Sequence, residues 1–187
     1  MDTRRILLAT ACLVLLVPAA HAHWHHWHRW HHWHHWHRWH SERTWTLPRS
    51  DALPDPQLTP GAASAAVTQS NIHRTICRYG YTRTVRPPEA YTESLKRHQI
   101  REYGYRDLWL SDYEEDHLIP LELGGSPTSP ENLWPEPWHV VGGWGAYRKD
   151  RLENRLNHLV CTGRLTLRAA QGAIATDWIA AYRHYDG

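Results

Sequence analysis

One stretch constrains the fold more than any other part of the sequence, and it consists of residues 113–125 (YEEDHLIPLELGG) and 130–137 (PENLWPEP). The apolar run Leu118–Leu123 predicts a short strand with an Asp-His pair at its start. Two glycines then end the strand, because they permit backbone angles that break the pleat. Asn132 follows His117 by fifteen positions, in a segment whose prolines predict a loop. Adjacent strand residues point to opposite faces, so Asp116 and His117 are expected to have different functions.

The side chains of this stretch indicate a chemistry by themselves. An imidazole suits general-base catalysis near neutral pH, and a carboxylate suits a hard cation such as Mg²⁺. With an amide nearby to orient the imidazole, the three groups indicate metal-assisted attack of water on a phosphodiester. The alternative is structural, namely an Asp-His pair that only closes the end of a strand.

The order Asp-His, Ile-Pro, Gly-Gly, Asn-Leu resembles the signature of the HNH endonucleases of the ββα-metal superfamily. The matching positions are Asp116, His117, Asn132 and Leu133, and the resemblance extends to about Glu153. Residues 76–182 also resemble a group of small secreted bacterial proteins that contain this signature. The resemblance implies an α+β fold in which a two-stranded hairpin and a helix form the site, with further helices packed around them.

The same resemblance implies roles for three residues. His117 would be the general base, Asp116 a ligand of a divalent metal ion, and Asn132 the residue that holds either the His117 ring or the loop. Mg²⁺ is the expected ion, with Mn²⁺ and Zn²⁺ as alternatives. The implied substrate is nucleic acid, with DNA favoured over RNA. The sequence has no zinc-finger or helix-turn-helix pattern, so we expect little sequence specificity.

The third position of the signature departs from the family pattern. The family usually has His or Asn about nine residues after the middle Asn, where this chain has Val141. A helix predicted over residues 144–160 offers substitutes, because Glu153 borders its apolar stripe and Asp150 lies one step further round. We therefore predict Asp150 and Glu153 as helix-borne metal ligands. The alternatives for this position are His139, Asn154 and Asn157.

Lys149 borders the same apolar stripe and lies four residues before Glu153. We predict that the Lys149 ammonium contacts a phosphate of the substrate. The alternative is an i, i+4 surface salt bridge with Glu153, which would contribute only about 0.3–0.5 kcal/mol.

The chain before the predicted domain has an unusual composition. Residues 1–22 have the basic start, apolar run and small-x-small end of a secretory signal peptide. Residues 23–66 are a tract rich in His and Trp followed by a Pro-rich linker, which leaves residues 67–187 as the HNH-like domain. Imidazoles at this density bind transition metals such as Zn²⁺, Cu²⁺ or Ni²⁺. The alternatives for the tract are an adhesive tail that becomes charged in acid and a neutral repeat expansion.

Two cysteines, Cys77 and Cys161, remain after removal of the signal peptide. An even number in an exported chain predicts one disulfide, and the alternative is two free buried thiols. The signal peptide predicts a secreted or periplasmic location. The apolar run of residues 6–18 is short for a membrane span, so we expect no stable membrane insertion.

The remaining periodicity predicts extended pieces over residues 76–86, a helix over 90–103 and a closing helix over 165–182. The formal charge of +2 is too small to indicate nucleic-acid binding by itself, although basic residues flank the predicted site. Two other functions stay open. One is a non-catalytic metal-binding protein whose His-rich tract is the functional part, and the other is an HNH-fold relative that has lost activity.

Overall fold

The computed structural model describes residues 49–187, so the predicted signal peptide and the His/Trp tract lie outside the described residues. The helices are α1 (Tyr81–Val85), α2 (Glu89–Glu102), α3 (Ala146–Cys161) and α4 (Leu167–Tyr185), and the strands are β1 (Tyr113–His117) and β2 (Leu133–Pro137). The two strands pair as one antiparallel sheet. This combination of helices and a small antiparallel sheet confirms the predicted α+β class.

The first strand lies earlier in the chain than its apolar residues predict. The predicted strand Leu118–Leu123 is an irregular segment that ends in a 3₁₀ turn, while the acidic residues before it pair with β2. The prediction is wrong because the leucines and the isoleucine of this run are buried in a loop. Hydrophobicity alone does not distinguish a buried loop from a buried strand. Pro120, which has no N–H to donate, precedes the turn.

Strand β2 contains Pro135 and Pro137, which the sequence predicted to lie in a loop. The backbone N–H of Leu118 donates to the carbonyl of Asn132 and so identifies one hydrogen-bonded pair of the ladder. Bonded and non-bonded pairs alternate along an antiparallel sheet, and counting from this pair puts both prolines at non-bonded positions. The missing N–H groups of the prolines therefore remove no hydrogen bond from the ladder.

The three predicted helices are confirmed as α2, α3 and α4. The apolar side chains predicted to cover the core from α4 are buried, namely Leu167, Ala170, Ile174, Trp178 and Tyr182. The backbone leaves helical geometry at Asp177, which divides α4 into two segments. The prediction of extended structure over residues 76–86 is wrong, because helix α1 lies there. Its Tyr81 packs against the core, and such tertiary contacts override the strand preference of the neighbouring Thr and Val residues.

Residues 51–66, which the sequence predicted to be linker, pack onto the domain. Ala52 and Thr59 are each only 1% exposed. The indole N–H of Trp178 donates to the carbonyl of Ala52 at 2.7 Å, and Ala63 forms a β-bridge with Gly125. The segment therefore belongs to the folded domain, which begins before Val67.

The predicted disulfide between Cys77 and Cys161 is confirmed. Its Cα atoms are 5.6 Å apart, and the two cysteines are separated by 84 positions in the sequence. Because Cys161 is the last residue of α3, the bond joins the C-terminal end of that helix to the segment that precedes α1. The disulfide closes a loop that contains the whole hairpin.

We expect replacement of both cysteines by alanine to lower the free energy of unfolding by about 4 kcal/mol, because the unfolded chain regains the entropy of this long loop. Urea unfolding of the oxidised protein and of the double variant measures the difference. The reduced wild-type protein is the control and should match the double variant. Equal stability of the oxidised protein and the double variant would contradict the prediction.

Candidate active site

Asp116 and His117 occupy the last two positions of β1, where the chain leaves the sheet. Glu114 and Asp116 alternate along the strand and so share one face, and Glu136 of β2 lies directly opposite Glu114. His117 points to the other face. Side chains on one face of this short sheet are therefore predominantly acidic, and the imidazole is separated from them by the thickness of the strand.

Asn132 fixes the loop that follows β1. Its Oδ1 accepts from the backbone N–H of Ile119 at 3.0 Å and of Ala62 at 3.2 Å. Its Nδ2 donates to the carbonyls of Ile119 and Ser126, both at 3.0 Å. Asn132 was predicted to hold either the His117 ring or the loop, and these contacts show that it holds the loop. The loop also needs Gly125, because a Cβ there would lie 1.7 Å from the carbonyl oxygen of Ile119.

The His117 ring is held by this loop. Its Nε2 lies 3.0 Å from the carbonyl oxygen of Pro127. A carbonyl oxygen can only accept, so Nε2 carries the proton and Nδ1 keeps its lone pair in the neutral ring. The residue is 5% exposed, and burial lowers the pKa of His117 against the opposing effect of the Asp116 charge. The ring is therefore neutral and held in a single tautomer.

Lys149 lies at the centre of the acidic face and is completely buried. Its Nζ donates to Asp116 Oδ2 at 2.5 Å, to the backbone carbonyl of His117 at 2.9 Å, and to Glu153 Oε1. Burial lowers the pKa of Lys149, but the charges of Asp116 and Glu153 outweigh it and hold that pKa well above its ordinary value. The ammonium is therefore charged and has used all three of its N–H bonds.

This geometry corrects both predictions for Lys149. A side chain with no exposed surface and three internal acceptors does not reach a substrate phosphate. The i, i+4 contact with Glu153 is not a surface salt bridge either, since both side chains are almost entirely buried. The helical wheel placed Lys149 at the border of the apolar stripe, but it did not give the depth at which α3 packs against β1.

Further carboxyl groups surround Lys149, namely Glu114, Glu122, Glu136 and Asp150. Burial first, and neighbouring negative charge second, raise the pKa of Glu114 to about 8, of Glu122 to about 7 and of Asp150 to about 6. Burial also raises the pKa of Glu136 and that of Glu153 well above their ordinary values. Glu153 accepts a hydrogen bond from the Lys149 ammonium, and this contact favours its ionised form against the effect of burial. In contrast, burial opposes ionisation of Asp116, but the Lys149 ammonium outweighs it and lowers the pKa of that carboxyl.

The predicted metal ligands Asp116, Asp150 and Glu153 all lie in this cluster, but they do not form a ready metal site. Carboxylate oxygens suit a hard cation, yet the Lys149 ammonium already binds two of the three groups. Within residues 49–187 no three His, Cys, Asp or Glu side chains are arranged to hold a metal ion. The predicted ligand set does not fit a metal in this arrangement, and we assign no chemical step to one.

The alternative candidates for the third position have other contacts. His139 is exposed, and its ring lies 6.2 Å from that of Tyr147. Asn157 donates to the carbonyls of Ile76 and Glu122, and Asn154 donates to the carbonyl of Asp150. The two asparagines therefore bind the backbone.

Arg86 is the functional candidate that sequence reasoning did not distinguish from the other basic residues. It is exposed and follows the last residue of α1. Its guanidinium acts electrostatically on His117 and on Glu114, Glu122 and Asp150, so it lies at the exposed edge of the cluster. In the part of the chain that the structure describes, its side chain makes no hydrogen bond or close ion pair. Its position depends on how α1 packs, which the sequence did not predict.

Comparison of the chain with protein-family models, with curated proteins and with solved structures found no match. Among residues 49–187, no helix has the length and apolarity needed to cross a membrane. The fold and the site together define a disulfide-closed α+β domain with a fixed neutral histidine and a buried lysine–carboxylate cluster.

We expect Asn132→Ala to lower the free energy of unfolding by roughly 3–5 kcal/mol, because it leaves buried backbone groups without partners. Urea unfolding measures the change. Asn154→Ala is the matched control, since Asn154 is exposed and makes one helix hydrogen bond. Its effect should stay within about 0.5 kcal/mol. Similar losses for the two variants would show that Asn132 does not hold the loop.

Proposed function

We propose that the domain is an HNH-type nuclease of an exported protein, which hydrolyses phosphodiester bonds of nucleic acid with DNA favoured over RNA. The observation that supports this best is the state of His117. Its Nε2–H is bound to the carbonyl of Pro127, and its Nδ1 keeps a lone pair. A neutral imidazole in one tautomer is the form that a general base needs.

In the proposed reaction, His117 Nδ1 takes a proton from a water molecule as the water oxygen attacks phosphorus. The bond from phosphorus to the leaving oxygen then breaks, and that oxygen takes a proton from solvent. The imidazolium formed on His117 is stabilised in two ways. Its Nε2–H bond to Pro127 strengthens when the ring is charged, and the negative charge of Asp116 favours the protonated ring.

In the proposed reaction, Arg86 binds the scissile phosphate. An exposed guanidinium with no competing ion pair can donate two parallel hydrogen bonds to a phosphate. Its electrostatic effect on His117 supports a position near the base. Lys149, which is buried and saturated, has no part in this contact. Phosphate contacts of this kind orient a backbone without reading bases, which agrees with the expected lack of sequence specificity.

Export of the protein is part of the proposal. The disulfide between Cys77 and Cys161 supports it, because such bonds persist in oxidising compartments outside the cytosol. The predicted signal peptide over residues 1–22 agrees with this location.

We expect His117→Ala to reduce plasmid nicking by roughly 10²–10⁴-fold, which is the usual contribution of a general base. Nicking of supercoiled DNA by oxidised protein measures the rate, and circular dichroism checks that the variant is folded. His158→Ala is the matched control, because His158 is an exposed histidine of α3. Equal cleavage by wild-type protein and a folded His117→Ala variant would exclude His117 as the base.

We expect Arg86→Ala to weaken DNA binding by roughly tenfold, as loss of a charged hydrogen bond to phosphate does. The slope of log affinity against log salt should fall by about one. Fluorescence anisotropy with labelled DNA measures both, in a His117→Ala background that prevents cleavage. Arg83→Ala is the control, since Arg83 lies three residues earlier in α1 and its guanidinium lies over the Tyr79 ring. Equal effects of the two substitutions would rule out a specific role for Arg86.

A further inference from the structure

The atoms around the Lys149 ammonium form the kind of environment that proteins build for a hard cation. Two carboxylates, Asp116 and Glu153, and the backbone carbonyl of His117 direct oxygen atoms at Nζ. Carboxylate and carbonyl oxygens are the usual ligands of Ca²⁺ and, with water, of Mg²⁺. The structure therefore contains a set of oxygen donors that converges on one point, and the ammonium occupies that point.

A third carboxyl group, that of Glu136, lies beside this set. Glu136 is 1% exposed and receives no hydrogen bond from an N–H group within the described part of the chain, but its carboxyl group is hydrogen-bonded to that of Asp116. Its neighbours are Lys149, Asp116 and Glu153. Burial keeps the pKa of Glu136 well above its ordinary value, so this carboxyl is neutral and its O–H donates to Asp116. A cation of higher charge at this point would favour its ionised form.

The ammonium and a divalent ion cannot both occupy this position. An ion bound to Asp116 and Glu153 would lie against the Lys149 ammonium, and two positive charges in contact within a buried site repel strongly. Lys149 cannot easily move away, because it is fully buried in α3 beside Leu152, which is also fully buried. Its release to solvent would require this part of α3 to separate from β1.

We propose that the ammonium of Lys149 is the resident cation of this site. It fills the space between Asp116 and Glu153 and excludes a divalent ion from the wild-type chain. Its removal leaves the oxygen atoms of Asp116, Glu153 and the His117 carbonyl, which together with water form a site for a hard divalent cation such as Ca²⁺ or Mg²⁺. The proposal concerns cation binding and holds whether or not the domain cleaves nucleic acid.

The test is calorimetric titration of the full chain with Ca²⁺ and with Mg²⁺. These ions are chosen because they prefer oxygen ligands, so the His-rich tract should contribute little. We expect no binding at this site in wild-type protein and binding of one ion per chain in Lys149→Ala. Saturating Ca²⁺ should raise the melting temperature of Lys149→Ala by roughly 5–10 °C and leave that of the wild type unchanged.

Two controls make the result specific to this position. Adding Asp116→Asn to Lys149→Ala should abolish the new binding. Lys96→Ala is the matched lysine control, because Lys96 is also buried and pairs with Glu93 away from the cluster. It should gain no cation site. Lys149→Gln is a second variant for the case that alanine prevents folding, since its stem fills the same space and its amide supplies an oxygen.

Wild-type protein that binds one Ca²⁺ or Mg²⁺, with binding lost in Asp116→Asn, would overturn the proposal. A folded Lys149→Ala or Lys149→Gln chain that binds neither ion would overturn it as well. A Lys149→Ala chain that folds only in the presence of Ca²⁺ would support it, because folding would then depend on replacement of the ammonium by another cation. These outcomes are measured without nuclease activity, so they are independent of the fate of the proposed reaction.

Discussion

The buried Lys149 ammonium, bound between Asp116 and Glu153, is the interaction on which the rest of this site depends. A charge with no exposure must be matched by partners at fixed positions, since loss of one partner leaves an uncompensated buried charge. Here the partners come from the end of β1 and from α3 itself, so the three-way contact fixes the helix against the strand. The bond to the His117 carbonyl extends this constraint to the residue from which the imidazole projects.

A second constraint acts on the opposite side of the strand. Asn132 satisfies the backbone of the loop after β1, and Gly125 allows that backbone to approach closely. The loop in turn presents the carbonyl of Pro127 to the His117 ring. The tautomer of the imidazole therefore follows from loop geometry rather than from a contact with Asn132. Lys149 thus binds Asp116 and the backbone of His117 directly, whereas Asn132 acts on the His117 ring only through the loop.

Sequence patterns identified His117, Asn132 and Lys149 as candidate site residues, but they did not predict the contacts that these side chains make. The disulfide and the three longer helices were predictable, because cysteine number and a period of 3.6 residues leave few alternatives. The strand was misplaced because Leu118–Leu123 is as apolar as a strand, while β1 itself is acidic. Burial of Lys149 was missed for a related reason. Its angle on α3 was correct, but a helical wheel contains no information on the neighbour that covers that angle. Arg86 directly follows α1, a helix that local propensity does not favour.

The two sides of the strand are coupled through the charge of Asp116. Burial alone would drive this carboxyl towards its neutral form, and the Lys149 ammonium keeps it ionised. An ionised Asp116 is what favours a proton on the neighbouring His117, against the burial that opposes it. The ammonium also acts on the imidazole directly, because its own positive charge lowers the pKa of His117. A buried lysine that never meets the substrate therefore acts on the group proposed to activate water in two opposed ways, through the charge of Asp116 and through its own.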